Sequence, residues 1–235
     1  GTRVAAGAAA VSRGYFSAMT RVAARLATIG LALSVPACAS PHRSAESAAQ
    51  PSEHSLAGLA AQHVAVLPTY AVRVMPELNW ASSVGRLSDL KRTMDADILA
   101  AFDERGLKAG WVFPESLEQS YRHNPTYATD PYALAEEPLR APSLLPDARL
   151  PEPLASQVRT LVALHDDVRL VLAPVELRFE KAGTGGRGVL RLVLLDARTS
   201  TIRWSGDVSS DPVDAFTPAI TASLGARMAA MVAPQ

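Results

Sequence analysis

The sequence predicts an α/β domain of the mixed α+β kind, with one mixed sheet of about five strands and helices packed on it. Two observations predict this class. After residue 60, short β-branched runs alternate with helical stripes, and a run of three strands with period-two alternation follows later in the chain. Strands separated by helices favour parallel neighbours, whereas strands joined by short turns form an antiparallel meander. We therefore expect a sheet whose C-terminal part is antiparallel.

The first strand is predicted at residues 63–68, a β-branched run that is closed by Pro68. Residues 70–74 either extend this strand or pair with it. A loop that contains Asn79 and Trp80 is expected to follow.

A helix is predicted over residues 88–105, with Ser88 as its N-cap and Gly106 as its stop. Its apolar stripe is made of Leu87, Leu90, Met94, Ile98 and Phe102. Lys91, Arg92, Asp95 and Glu104 lie off this stripe. A second short strand is predicted at residues 110–113.

Residues 114–153 are predicted to be a long irregular excursion, because they hold eight of the seventeen prolines. Residues 114–121 are expected to form a helix that begins at proline, and residues 133–137 at most one helical turn. With few large aliphatic side chains, the excursion is expected to contribute little core. Loops of this length are often functional. The predicted partner-binding residues are Tyr121, Arg122, Tyr127 and Tyr132; the alternative is that the tyrosines pack back on the sheet.

The C-terminal part begins with a helix whose stripe is Leu154, Val158, Leu161 and Leu164. Period-two alternation then marks a strand at residues 175–179, and Pro174 predicts a break or bulge upstream of it. A glycine-rich turn at 181–188 leads to a return strand at 189–196.

A last strand and a closing helix end the domain. The strand alternates Ile202, Trp204 and Val208 with polar residues, and the helix carries the stripe Phe216, Ile220, Leu224, Met228 and Met231. Leu177, Phe179, Leu192 and Trp204 are expected to be buried. Replacement of Gly185 by alanine is expected to matter far less than loss of Trp204, unless the φ angle of Gly185 is positive.

The N-terminal region has the pattern of an export signal. Residues 1–37 carry four arginines and no acidic residue, although the whole chain has a formal net charge of zero. Read from Met19, a plausible initiator, a short basic stretch precedes the apolar residues 26–35, which are too few to span a bilayer. The run Val35-Pro36-Ala37-Cys38 follows and contains the only cysteine of the chain.

This run resembles a bacterial lipobox, in which an apolar residue stands three positions before the cysteine and a small one directly before it. The resemblance implies cleavage before Cys38 and lipidation of Cys38. Ordinary cleavage after Ala37 or Ala39 is the alternative. Residues 1–37 are then an upstream extension and signal peptide, residues 38–60 the lipidated cysteine and a flexible tether, and residues 61–235 the single folded domain.

The predicted element order resembles a family. The run at 63–68, the helix that follows it and the late hairpin at 194–205 are similar to the small α/β domains of bacterial envelope lipoproteins. These include the N-terminal domain of the Tol-Pal β-propeller protein, the curli secretion lipoprotein and the penicillin-binding-protein activator lipoprotein. The resemblance covers residues 61–113 and 154–232, and Ser200 stands where a turn glycine is usual. It implies action by protein contact, with no catalytic residues.

No motif in the chain predicts a reaction. Gly183, Gly185 and Gly188 match a dinucleotide-binding spacing, but strands are predicted on both sides, so a hairpin turn is the better interpretation. The run His165-Asp166-Asp167 has no second cluster of histidine or carboxylate residues at helical spacing that could complete a metal site. Balanced charge gives no global attraction to nucleic acid.

We therefore interpret the chain as a lipid-anchored, periplasm-facing envelope protein that acts by protein contact, without enzymatic activity or cofactor. Its membrane contact is the lipid on Cys38, and Ala39 after the cysteine favours the outer membrane. A periplasmic module that binds a small ligand or glycan is one alternative, and a hydrolase without a recognisable motif is another. A cleft with convergent polar groups beside residues 121–132 would favour the ligand-binding alternative, and a buried carboxylate or histidine pair in that cleft would favour the hydrolase.

Overall fold

A computed structural model describes residues 56–233 of the chain. The strands are β1 (Val64–Val66), β2 (Ala71–Val74), β3 (Trp111–Val112), β4 (Leu170–Ala182), β5 (Gly185–Asp196) and β6 (Thr201–Ser209). The helices are α1 (Ala81–Val84), α2 (Leu87–Glu104), α3 (Pro114–His123), α4 (Leu154–Val162) and α5 (Ala219–Val232). No helix in the described range is long and apolar enough to cross a membrane.

The six strands form one mixed sheet in the order β3-β1-β4-β5-β6, and β2 also pairs with β4. β1 runs parallel to β3 and β4, whereas β4, β5 and β6 form an antiparallel meander. The predicted mixed sheet and its C-terminal meander are confirmed. The sheet has a sixth strand because residues 71–74 pair with β4 and neither extend nor pair with β1.

Both faces of the sheet are covered by apolar side chains. β4 shows why: its residues from Val171 to Leu177 are all buried, without alternation. On one face, α2 and α5 pack over Leu172, Leu177 and Phe179. On the other face, α4 and parts of the proline-rich excursion pack over the remaining side chains of β4 and β5.

The excursion is part of the core, and the prediction that it contributes little core is wrong. Its buried leucines are Leu117, Leu134, Leu139 and Leu150. They are needed because α4, with nine residues, covers only part of this second face of the sheet. The predicted helix is confirmed as α3, but the later helical turn lies at Glu137–Arg140, slightly beyond the predicted position.

The helix stripes are confirmed except at their ends. Leu90, Met94, Ile98 and Phe102 of α2 are buried, and Gly106 (φ +67°) ends the helix, but Leu87 is 47% exposed. The N-cap position is Arg86 rather than Ser88, and no side chain caps it. In the apolar stripe of α4, Leu164 lies beyond the end of the helix and is exposed.

Two bulges shape the meander. The predicted irregularity at Pro174 is confirmed, since the register of β4 against β5 shifts between Pro174 and Glu176. A second shift at Arg203 was not foreseen: Leu194 pairs with Trp204 and Leu195 with Ile202. Ile202 therefore turns to the α4 side.

Leu177, Phe179 and Leu192 are fully buried, as predicted. Trp204 is only partly buried, against the prediction, because it lies on the edge strand of the sheet. Ser200, which occupies the turn position where glycine is usual, has a φ of +53° and so adopts the left-handed conformation that glycine would supply.

The β4–β5 turn is shorter than predicted, because only Gly183 and Thr184 lie between the strands. A Cβ on Gly185 would collide with the carbonyl oxygen of Val213 and approach its carbonyl carbon to 2.8 Å. The φ of Gly185 is not positive, yet alanine would displace a backbone segment. The close contact with Val213 therefore argues against the prediction that Gly185→Ala matters far less than loss of Trp204.

The folded domain begins earlier than residue 61. Leu56 and Leu59 are buried in the α2–α5 core, and the N–H of Leu56 donates to the carbonyl of Met231 over 3.1 Å. The last residues of the predicted tether therefore belong to the fold.

Close contact between α2 and α5 predicts the effect of Gly225→Ala. A Cβ on Gly225 would lie 2.7 Å from the carbonyl oxygen of Asp97 and 3.2 Å from the backbone nitrogen of Ile98. Alanine normally stabilises a helix relative to glycine by about 1 kcal/mol. Here we expect a net loss of about 1–3 kcal/mol in the free energy of unfolding, because the two helices must separate. Urea denaturation measures this change.

Gly58→Ala is the matched control, because nothing lies within 4 Å of its added Cβ and its φ is not positive. This variant should be as stable as the parent. Equal stability of the two alanine variants would contradict the close packing of α2 on α5.

Candidate functional site

A buried carboxylate, Asp95, ties α2 to the break between β1 and β2. Asp95 is 7% exposed in the middle of α2. The backbone N–H and the hydroxyl of Thr69 both donate to its Oδ1, over 2.7 and 2.8 Å. Because Thr69 lies between the two strands, the carboxylate satisfies a backbone donor at the point where the chain leaves β1.

The second oxygen of Asp95, Oδ2, is buried and has no hydrogen-bond partner among the described residues. Burial raises the pKa of Asp95, although the two hydrogen bonds from Thr69 and the nearby charges of Lys91 and Arg92 act to lower it. The carboxyl group therefore gains a proton more readily than an exposed aspartate.

Glu136 is a second buried carboxyl group and belongs to the excursion. It is 1% exposed, and its Oε2 has no hydrogen-bond partner within residues 56–233. Burial, and then the charge of Asp95, raise its pKa to about 8. Glu136 is therefore mostly protonated at neutral pH, which makes its burial tolerable.

A cleft of about 310 Å³ opens beside Asp95 where β3 ends and α3 begins. Its lining residues are Arg92, Asp95, Ala96, Leu99, Phe113, Pro114, Glu115, Glu118 and Tyr132. The guanidinium carbon of Arg92 lies 4.8 Å from the centre of the Tyr132 ring, a cation–π contact. Burial, followed by the charge of Asp95, raises the pKa of Tyr132.

The four residues predicted to bind a partner are divided between two places. Tyr121 and Arg122 lie in the last turn of α3, where Arg122 forms an ion pair with Glu118 over 2.6 Å. Tyr127 follows in a turn and is 76% exposed. Tyr132 instead lines the cleft, so only the first three are available for one exposed surface.

Other predicted features take no part in this site. Cys38 lies outside the described residues. Gly183 lies in the turn between β4 and β5, whereas Gly185 and Gly188 lie in β5. The three glycines therefore belong to a β-hairpin, as the sequence analysis favoured. Among residues 56–233, no group of three or more His, Cys, Asp or Glu side chains is arranged to hold a metal ion.

Sequence reasoning missed Asp95 and Glu136. Asp95 lies off the apolar stripe of α2, yet it follows Met94 and is buried because the β1–β2 break packs beside it. Nothing in the pattern links it to Thr69, which is 26 residues away. Glu136 stands between short proline-rich runs without periodicity, so its burial gives no signal in the sequence.

Titration of Glu136 predicts how stability depends on pH. The folded state holds the proton up to about pH 8, whereas the unfolded chain releases it near the ordinary pKa of 4.5. The folded state therefore binds more protons in this interval, and the free energy of unfolding falls as the pH rises through it. Glu136→Gln has no carboxyl group to ionise, so it should lose less stability over the same interval.

Urea denaturation of both proteins at a series of pH values between 4.5 and 8 measures the difference. Glu115→Gln, a change at an exposed carboxylate, is the control and should keep the pH slope of the parent. Parallel pH profiles for the parent and Glu136→Gln would show that Glu136 does not titrate differently on folding.

Comparison with known proteins finds likeness in structure only. No family model and no curated protein matches the chain. Among solved structures, the PelC dodecamer from Paraburkholderia phytofirmans has 12% identity and a TM-score of 0.36, covering 75% of this chain and 91% of that one. The LpoB C-terminal domain from Escherichia coli has 14% identity and a TM-score of 0.31, covering 66% and 86%.

A third structure, lipoprotein GNA1162 from Neisseria meningitidis, has 19% identity and a TM-score of 0.29, covering 63% of this chain and 79% of that one. Of these three structures, GNA1162 is described as a lipoprotein, the class of protein that the sequence resembles. At such TM-scores the likeness is remote, so a function has to be inferred from this chain's own residues.

Proposed function

We propose that this protein is held at the cell envelope by a lipid on Cys38 and acts there by binding another protein, without catalysis. The anchor rests on the basic stretch, the apolar run and the Val35-Pro36-Ala37-Cys38 sequence. Lipidation places the folded domain close to a membrane surface, with a short polar segment between them. Such an arrangement suits a protein that meets partners in the envelope.

The observation that best supports binding of another protein is the exposure of Tyr127 on a segment that is packed on the core. The excursion is fixed to the core by buried leucines on both sides of Tyr127, namely Leu117 and Leu134. Tyr127 itself is 76% exposed, and Leu145 in the same excursion is 72% exposed. A tyrosine on a backbone that is already fixed offers a large contact area at small entropic cost, which favours binding.

Arg122 strengthens this surface. Its side chain is largely exposed beside Tyr121, and its pairing with Glu118 leaves the guanidinium plane accessible for stacking or for a second carboxylate. An arginine with neighbouring tyrosines has the composition of a protein-binding hot spot.

The cleft beside Asp95 favours a second candidate function, the binding of a small ligand. It brings Arg92, Tyr132 and Glu118 together with apolar side chains. A hydrolase would need a buried pair of titratable groups in the cleft. Asp95 lines the cleft, but Glu136 does not, so this pair is missing from the lining. Arg92 already stacks on Tyr132, which leaves fewer free groups for a ligand than the exposed surface around Tyr127 offers a protein.

Cys38→Ser tests the anchor. A lipid on Cys38 would be the main attachment to the membrane, so the variant should move from the membrane fraction to the soluble fraction of the envelope. Cell fractionation with immunodetection measures the distribution. Ser40→Ala, a change two residues away, should stay with the membrane; retention of Cys38→Ser in the membrane to the same extent would place the anchor elsewhere.

Tyr127→Ser tests the contact surface. Because Tyr127 packs little against its own domain, the variant should keep the thermal midpoint of the parent and lose most of the cross-linked partner. Cross-linking in intact cells followed by mass spectrometry measures the capture.

Tyr127→Phe is the matched control, since it keeps the ring and should retain capture. Full capture by a folded Tyr127→Ser protein would exclude this surface, whatever the result of the anchor experiment. The anchor and the contact surface are therefore tested independently of each other.

A further inference from the structure

β6 is the outer strand of the sheet, and residues 56–233 cover only its beginning. The N–H of Asp147 donates to the carbonyl of Ile202 over 2.7 Å, and the N–H of Ile202 donates to the carbonyl of Ala148 over 2.9 Å. From Arg203 to Ser209, no backbone hydrogen bond is made on the outer side within the described part of the chain. This uncovered stretch is an open sheet edge.

The backbone groups that face outward follow from the pairing with β5. The N–H of Ser210 donates to the carbonyl of Gly188 over 2.8 Å, so this residue faces β5. The direction of the backbone N–H and C=O groups alternates from one residue to the next along a strand. Gly206 and Val208 therefore also form backbone hydrogen bonds with β5. The N–H and C=O groups of Ser205, Asp207 and Ser209 then point away from the sheet.

The usual protections of an open edge are weak here. Residues 203–209 contain neither lysine nor proline. Their two charged side chains are already paired within the chain, Arg203 with Asp147 and Asp207 with Arg178. The bulge at Arg203 twists only the start of the stretch, next to the part that residues 147 and 148 already cover. The stretch is thus free to add a further strand.

We propose that the occupant of this edge is a second copy of the chain, paired antiparallel through β6 about Gly206. In this register Ser205 lies opposite Asp207 of the second copy, and symmetry repeats the pair. Both residues direct their backbone groups outward, so each pair exchanges two hydrogen bonds. Trp204 lies opposite Val208 of the second copy on the α5 side, an aromatic and β-branched pair of the favourable kind.

Neighbouring registers are less favourable. Pairing about Asp207 would place the two Asp207 side chains directly opposite each other, with like charges. Pairing about Ser205 would bring Val208 of the second copy to the outer side of Ile202, which Asp147 and Ala148 already occupy. Pairing about Gly206 separates the two Asp207 side chains, and only Ser210, which lies beyond the end of β6, comes opposite Ile202 of the second copy.

The resulting dimer closes on itself. Two-fold symmetry uses the same strand of both copies, so the sheet continues through the interface and no second open β6 edge remains. Partly exposed Trp204 loses solvent contact in both copies, which supplies apolar burial that the single chain lacks.

Ser205→Pro tests the pairing in the full chain, in a Cys38→Ser background that has no other cysteine. Proline removes the outward N–H of residue 205 but leaves the bonds to β5, and edge strands tolerate it there. We expect the background protein and Ser205→Ala to be dimers, and Ser205→Pro to be a monomer with a similar thermal midpoint. Light scattering over a concentration series measures the mass.

Gly206→Cys in the same background tests the register. Directly opposite residues of a non-hydrogen-bonded antiparallel pair have Cα atoms about 4.5 Å apart, within the range of a disulfide. Oxidation should therefore link two copies through residue 206, whereas Ser209→Cys, which lies opposite Arg203, should remain unlinked. A background protein that is monomeric at every concentration, a dimer that Ser205→Pro leaves intact, or a disulfide at residue 209 in place of 206 would each overturn the proposal.

Discussion

β4 is buried on both faces, and the rest of the structure depends on this. The residues of β4 from Val171 to Leu177 are all buried, and all except Glu176 are apolar, so the strand needs cover above and below the sheet. α2 and α5 supply the cover on one side, close enough that Gly225 touches the backbone of α2. On the other side α4 is too short, and the proline-rich excursion completes the layer.

Because the excursion completes this layer, it has two roles. Four of its leucines are core residues, while Tyr127 and Leu145, which lie between them in the sequence, remain exposed. The excursion also brings Glu136 into the interior, near the carboxylate of Asp95 that holds the β1–β2 break. A segment fixed in this way presents side chains at defined positions, which a freely moving loop cannot do.

The elements with strong periodicity could be predicted from the sequence: α2, α4, α5 and the meander. These predictions are correct because the apolar pattern of each element is repeated over several helical turns or strand alternations. The pairing of β2 with β4 could not be predicted, since it joins residues about a hundred positions apart. Leu134 and Leu139 are isolated among prolines, so no period reveals that they are buried. The bulge at Arg203 likewise has no proline or glycine to mark it, and the exposure of Trp204 follows from its edge position rather than from its residue type.

Amide hydrogen exchange in the excursion tests most directly whether this segment is the cover of the second sheet face. Asp147 and Leu150 donate to the carbonyls of Ile202 and Ser200, over 2.7 and 2.8 Å. Their amides should exchange nearly as slowly as that of Val208 in β6, while the amide of Leu145, which has no backbone acceptor in the described chain, should exchange fast. Fast exchange at Asp147 and Leu150 with a protected sheet would contradict the account, because the excursion would then lie loosely on a sheet that is stable without it.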